Sequence, residues 1–340
     1  MFSEKTAPRE TKQGQNILVV RLGAMGDVLH TLPAAASLKH NFPAAQLTWA
    51  VDSLWAPLLR ANPFIDRIVE IDRKRPGTWG NARRELHRHR FSLAVDFQGL
   101  LKSAFLAFLA RPERIFGFDS AQLRERAAAL FYSQSAAPGI LHAVDRNLAL
   151  AQAAGAVSLL RTFPLPPGRP EGLLPKFGFV LANPLAGWAG KQWPLEYYAE
   201  LAKLLKRELN LPLVVNGPPS SRAALEAIPG AVVHVSGIDG LIDGTRRATA
   251  VLGVDSGPMH LAAALNKPGI AIFGPTDPAR NGPYGGSLQI LRDSEATPKF
   301  QRGDTRSGAY LRGADIDPGM RAIKPSAVLA SLKAQVACPA

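Results

Sequence analysis

Arg21-Leu-Gly-Ala-Met-Gly-Asp27 sets a carboxylate behind two glycines, where an apolar run gives way to a helix-like one. Backbone N–H groups point outward at such a turn and favour anions, and a carboxylate at its mouth is placed to take a proton from a substrate hydroxyl. Asp27 fits an ordinary helix N-cap as well, because aspartate is a preferred cap. The G-x-G-x-x-G spacing of a dinucleotide site is absent. Asp96-Phe-Gln-Gly-Leu-Leu-Lys-Ser103 repeats the arrangement after another apolar run and points Asp96, Gln98 and Lys102 toward the same crevice. Arg124 and Arg126 supply guanidinium forks that match phosphate or carboxylate. His142 and Arg146, one helical turn apart, are placed to close that pocket. Cap, turn and solvation chemistry account for each of these residues taken singly.

The second half carries a related series. Asn183-Pro-Leu-Ala-Gly-Trp-Ala-Gly-Lys-Gln-Trp-Pro194 is a small-residue loop through which a diphosphate approaches the backbone, with Lys191 supplying charge. In Asp255-Ser-Gly-Pro-Met-His260, the Ser256 and Gly257 amides are set to cradle phosphate while Asp255 and His260 hydrogen-bond sugar or phosphate. Gly274-Pro-Thr-Asp-Pro278 adds Thr276 and Asp277. One such loop is turn chemistry; three at corresponding strand ends favour a nucleotide-diphosphate site.

The elements that must position these loops follow from periodicity. Strands are predicted at 16–21, 46–51, 68–71 and 93–96, and helices at 27–40, 78–89, 100–110 and 141–154. Phe163 to Gly172, the stretch richest in proline and glycine, reads as an interdomain linker. Strands at 177–181, 211–216, 232–235, 250–254 and 269–273 then alternate with helices at 194–208, 220–227, 239–249 and 258–265. Pro194 is expected at the first position of its helix. The segment 293–320 is expected to be irregular and 324–336 helical. Alternating strands and helices predict two open α/β sheets with crevices at strand carboxyl ends. The expected division is 1–165, 173–322 and a helix and tail at 323–340.

Composition agrees. A chain of 340 residues, 46% of them apolar, fills two cores, and its 28 prolines and 30 glycines punctuate apolar runs rather than forming a disordered tract. Cys338 is the single cysteine, which excludes an internal disulfide and a cysteine metal site. With no signal peptide or spanning run in view, a cytoplasmic protein is expected. A formal charge of +13 favours anionic partners. The basic residues come in small groups (73–75, 83–90, 111–126) without RNP-like, zinc-finger or basic-heptad patterns, so no nucleic acid is expected.

Taken together, Met25 to Ala34, Asp96 to Ser103, His142 to Arg146, Lys191 to Pro194, Asp255 to His260 and Gly274 to Pro278 resemble, in order and spacing, the lipopolysaccharide heptosyltransferases of glycosyltransferase family nine. The Gly-Asp-Val-Leu-His-Thr form resembles the branch that adds the first heptose to Kdo. The resemblance implies a GT-B fold, two Rossmann-like domains facing across a central cleft. It implies ADP-L-glycero-β-D-manno-heptose as donor, held by the second domain through Lys191, Asp255, Ser256, Gly257, His260, Thr276 and Asp277. Kdo-lipid A would be the acceptor, held by the first domain near Gly26, Gln98, Lys102, Arg124 and Arg126. Asp27 matches the catalytic base of an inverting displacement, and no metal or cofactor is implied. A lipid-anchored acceptor adds peripheral contact with the anionic cytoplasmic face of the inner membrane. Two departures stand out: Gly217 to Arg222 has no acidic residue for the ribose, and 293–320 lacks the cysteines and histidine of many relatives. Transfer of a second heptose or another nucleotide-linked sugar is the alternative within the class. A non-catalytic binder of anionic lipid or nucleic acid is the alternative outside it.

Overall fold

The computed structural model describes residues 16–139, 142–293 and 315–337. The strands are, in chain order, Asn16–Val20 (β1), Gln46–Asp52 (β2), Arg67–Ile71 (β3), Phe91–Asp96 (β4), Arg114–Phe118 (β5), Gln134–Ala136 (β6), Val180–Asn183 (β7), Leu213–Gly217 (β8), Val232–Val235 (β9), Ala250–Val254 (β10), Gly269–Phe273 (β11) and Leu288–Arg292 (β12). The helices are Met25–Asn41 (α1), Pro76–His87 (α2), Leu101–Leu109 (α3), Ala143–Ala153 (α4), Leu195–Leu209 (α5), Arg222–Glu226 (α6), Ile238–Arg247 (α7), Gly257–Ala264 (α8), Pro278–Asn281 (α9), Pro318–Ala322 (α10) and Pro325–Ala337 (α11).

Every described strand pairs in parallel. One sheet runs β3-β2-β1-β4-β5-β6 and the other β12-β11-β10-β7-β8-β9, so each has the 3-2-1-4-5-6 order of a dinucleotide-binding sheet. Strand order reverses between β1 and β4 in the first sheet and between β7 and β10 in the second. Helices cover both faces of such a sheet, which is why β1, Asn-Ile-Leu-Val-Val, is a continuous apolar run rather than an alternating one.

Three strands escape periodicity for separate reasons. Gly117 interrupts β5 because the Tyr132 ring packs where its Cβ would stand. β6 is a polar three-residue edge, and β12 is an edge strand whose middle is exposed. Pro194 is the N-cap of α5, one residue ahead of the expected position. Of the segment expected to be irregular, 294–314 lie outside the described residues, while Pro318–Ala322 is helical. The amino-terminal fourteen residues, Leu141 and Cys338 also lie outside them.

The stretch expected to be a linker is pinned along its length. Phe163 and Leu165 pack on the first core, the Arg169 N–H donates to the Asp239 carbonyl (3.2 Å), and the Arg246 guanidinium donates to the Leu165 and Pro166 carbonyls. Its prolines lack N–H donors, so few backbone groups need partners there. The halves share apolar surface too, for Leu241, Ile242 and Leu261 from α7 and α8 belong to the core built around α1. Helix α11 packs on α5 through Val328, Leu329 and Leu332, in the core of the second sheet.

Candidate active site

Both strand-order reversals open on one cleft. After β1 the chain turns through Leu22 and Gly23 into α1, and the Leu22 and Gly23 amides both donate to Gln98 Oε1 (2.9 and 3.3 Å) from the loop after β4. Gln98, expected to touch acceptor, therefore uses its carbonyl oxygen to hold the glycine turn in shape. Asp96 is corrected more fully. It is 0% exposed and accepts from the Gln98 and Gly99 amides, the Ser103 hydroxyl (2.9 Å) and the Tyr132 hydroxyl (2.8 Å). Burial raises its pKa against those four hydrogen bonds, which lower it. Asp96 staples α3 and Tyr132 to the end of β4 and does not reach the crevice.

Asp27 does reach it, with a side chain 45% exposed. It sits at the third position of α1, and Ala24 is the N-cap, so the capping reading is corrected: its Oδ2 accepts from the Ala24 N–H (3.1 Å). Its Oδ1 pairs with the Arg21 guanidinium at 2.7 Å, and Arg21 also donates to the Phe97 carbonyl. The Arg21 carbonyl accepts in turn from the indole of fully buried Trp49 (3.2 Å). Two anchors thus fix the carboxylate, and each oxygen keeps a further lone pair for an incoming proton. Arg21 was legible only as a charge breaking an apolar run; its positioning role needed the turn.

The second half supplies the opposing wall. Asp255, at the end of β10, pairs through Oδ2 with Lys191 Nζ at 2.5 Å, and Lys191 also lies over the Trp188 ring. Ser256 caps α8, and its buried hydroxyl, like that of Thr276 after β11, has no hydrogen-bond partner among the described residues. Asp277 accepts from the Ala279 N–H (2.9 Å) and caps α9. Lys191, Asp255, Ser256, Gly257 and His260 therefore converge beside the β7/β10 reversal, with Thr276 and Asp277 one strand further along.

The amino ends of α1 and α8 meet. A Cβ on Gly257 would lie 2.7 Å from that of Met25, and one on Gly26 would lie 2.5 Å from the His260 ring. Gly26, expected among acceptor contacts, is thus the place where the second half approaches. Above it His30 Nε2 and His260 Nδ1 are 3.1 Å apart, and Asn147 of α4 donates to the His30 carbonyl (3.0 Å) and to Thr31 Oγ1 (3.1 Å). His260 Nε2 lies 4.0 Å from Asp255 Oδ1, which favours the proton on that nitrogen. His30 Nε2–H then donates to His260 Nδ1, leaving His30 Nδ1 without a partner among the described residues, as found. His142 accepts from the Val144 N–H through Nδ1 and donates from Nε2 to the Gly282 carbonyl across the cleft (3.2 Å).

Burial pushes His260 down to about 3, with the Lys191 charge and His142 adding to it, and burial and His260 lower His30 well below its ordinary value. Both imidazoles are neutral in the folded protein and protonate near pH 6.5 once unfolded. The unfolded chain binds more protons below that pH, so stability is lost as pH falls from about 6.5 toward the folded value of about 3. Melting temperature is expected to drop between about pH 7.5 and 5.5, ahead of carboxylate titration, and His30→Gln is expected to flatten that slope. An identical slope in the variant would show that the pair does not set it.

Arg146 stands on the first-half wall, over the Phe118 ring and donating to Gln122 Oε1 (3.3 Å). Burial lowers its pKa, and the positive charges of Arg280 and Arg21 add to that. Lys102, Arg124 and Arg126 are exposed. Lys102 lies in the first turn of α3, and Glu125, between the two arginines, accepts from the Leu101 N–H (2.8 Å) and holds their segment against that turn. Among the described residues no group of three or more His, Cys, Asp or Glu is arranged to hold a metal ion.

The family model described as glycosyltransferase family 9 (heptosyltransferase) matches residues 79–309. Lipopolysaccharide heptosyltransferase 1 of Pseudomonas aeruginosa is 30% identical over 298 residues, covering 80% of this chain and 82% of the relative. The Escherichia coli K12 protein of the same name is 29% identical over 301 residues, covering 81% and 93%. Among solved structures, E. coli heptosyltransferase WaaC with ADP-2-deoxy-2-fluoro heptose superposes with a TM-score of 0.73 at 23% identity, covering 94% of this chain and 99% of that one. A family 9 glycosyltransferase from Veillonella parvula superposes with a TM-score of 0.79 at 18% identity, covering 95% and 97%.

Proposed function

The chain belongs to glycosyltransferase family 9, and from that premise we propose that it transfers L-glycero-D-manno-heptose from ADP-heptose to Kdo of the lipopolysaccharide inner core. It is a glycosyltransferase with the GT-B arrangement of two Rossmann-like domains. The carrying observation is the meeting of the α1 and α8 amino ends, which sets Asp27 on one wall of the cleft against Lys191, Asp255 and Ser256 on the other. Residues 1–165 bind the acceptor and 173–322 the donor, with 323–340 appended to the latter.

In this reading the donor diphosphate lies at the first turn of α8, where backbone N–H groups and the helix dipole favour negative charge. The buried Ser256 and Thr276 hydroxyls, unpartnered among the described residues, suit phosphate or sugar oxygens. Asp27 takes the proton of an acceptor hydroxyl as that oxygen bonds to the anomeric carbon. The bond from that carbon to the diphosphate breaks with inversion, and ADP leaves. Lys191 and the α8 amides balance the charge growing on the diphosphate. Arg146 and Arg280, close enough for the charge of one to act on the other, suit an acceptor that is itself an anionic sugar. No helix among the described residues is long and apolar enough to cross a membrane, and the lipid of Kdo-lipid A would bring the protein to the inner face peripherally.

The test is ADP release from ADP-heptose with and without Kdo-lipid A, run beside other nucleotide-sugars and an acceptor already carrying one heptose. Release that requires both ADP-heptose and unextended Kdo-lipid A is expected. Equal or better turnover with another donor, or with the extended acceptor, would move the protein to a neighbouring specificity.

A further inference from the structure

We propose that the exposed aromatic face of α3, with the arginines beside it, is the surface by which this protein docks on a bilayer of anionic lipid. The proposal rests on the reading that the acceptor is lipid-anchored, and its test separates the two. Beyond Lys102 and Ser103 helix α3 is apolar on both faces: Ala104, Leu106 and Ala107 are buried in the first half, yet Leu101, Phe105 and Phe108 face outward, Phe105 and Phe108 being 48% and 53% exposed. Spaced four and three residues apart, the three make one stripe. Phe131 extends it, its ring 6.0 Å from that of Phe105 and 5.6 Å from that of Phe108, and the adjacent Leu130 is 86% exposed. A contiguous bare patch of this kind marks an interaction surface.

The rim identifies the partner. Phe108 shares a shallow cavity of about 370 Å³ with Arg83, His87 and Arg111. Both arginines are exposed and neither has an acidic partner among the described residues, whereas neighbouring Arg88 pairs with Glu85. Guanidinium forks match phosphodiester oxygens, and phenylalanine and leucine enter the headgroup boundary, so the patch and its rim together fit a lipid surface. A second copy fits less well, because a two-fold contact through this face would bring the arginines of both copies together. The position suits the task as well. α3 starts just beyond the carboxyl end of β4, where Gln98 supports the glycine turn of the crevice, so the stripe leads away from the crevice mouth. A sugar whose lipid stays in the bilayer meets the crevice from that side.

The experiment is sedimentation of the full chain at low salt with vesicles of phosphatidylcholine alone, or of phosphatidylcholine and phosphatidylglycerol. Phe105→Ser/Phe108→Ser and Arg83→Gln/Arg111→Gln are compared with wild type, and melting temperature reports their folding. Wild type is expected on the mixed vesicles only, with partitioning weakened roughly tenfold or more in either double variant. Transfer to a deacylated, water-soluble acceptor is expected to stay at the wild-type rate while transfer to a vesicle-embedded acceptor falls. If vesicle binding behaves as described but no sugar donor turns over, the docking surface stands and the transfer reading fails. Equal wild-type retention on both vesicles, or folded variants that bind like wild type, overturns the proposal. So does a dimer in sedimentation velocity that both variants convert to monomer, since the face would then cover a second copy.

Discussion

Replacing Asp27 by asparagine is expected to lower kcat by ~10²–10⁴, the range for losing general-base help, with donor affinity near wild type. The substitution isolates the proton acceptor because little else changes. Asparagine keeps a side-chain oxygen for the Ala24 N–H, the local duty Asp27 performs at the third position of α1. It loses the ion pair with Arg21 and a negative charge near a helix amino end, effects of about 0.3–1 kcal/mol at exposed sites. Melting temperature should therefore move by a few degrees at most while turnover collapses. Turnover within about threefold of wild type, where base loss predicts at least ~10², would remove Asp27 from the mechanism. Asp96 could not replace it, being enclosed by four hydrogen bonds away from the cleft.

Lys191→Ala is expected to weaken ADP-heptose binding by roughly 10- to 100-fold, as loss of a charged hydrogen bond of ~1.5–3 kcal/mol would do, and to slow transfer besides. In the proposed reading the lysine faces the diphosphate before and during its departure, so ground state and transition state would both lose. The structure adds a complication, because Lys191 neutralises Asp255, whose side chain is only 6% exposed. Removing the lysine alone leaves a buried charge uncompensated and costs stability as well. Lys191→Ala combined with Asp255→Asn is the control: melting temperature should recover in part, but donor affinity should not. Wild-type affinity by calorimetry together with unchanged turnover would falsify the assignment. A rise in acceptor KM alone would move Lys191 to the other wall.

The sequence was readable where one residue type answers one local need. Glycines and an aspartate after β1, the loop ending in Lys191, and Asp255 to His260 after β10 announce strand-to-helix turns, and turns of that kind at a strand-order reversal face a ligand. Partners assembled across distance were not readable. Nothing near Arg21 tells that Phe97 and Asp27 share it, and His30, inside an apolar helical run, reads as core until His260 arrives from 230 residues away. Asp96 misled for the converse reason. Its position at a strand end is that of a crevice residue, and only the Tyr132 and Ser103 hydroxyls, brought by the segment before β6 and by α3, reveal it as a buried staple.

The pairing of Gly26 with the His260 ring, and of Gly257 with Met25, also limits how such enzymes can be recombined. Each half determines which side chains the other can carry at the seam, so the two are not interchangeable cassettes. A chimaera that joins this amino-terminal half to the carboxyl-terminal half of a homologue inherits a working junction only if the incoming half has no side chain at the position of Gly257. It also needs, at the position of His260, a side chain that fits against Gly26. An attempt to exchange one half alone should be judged first by whether these two contacts survive.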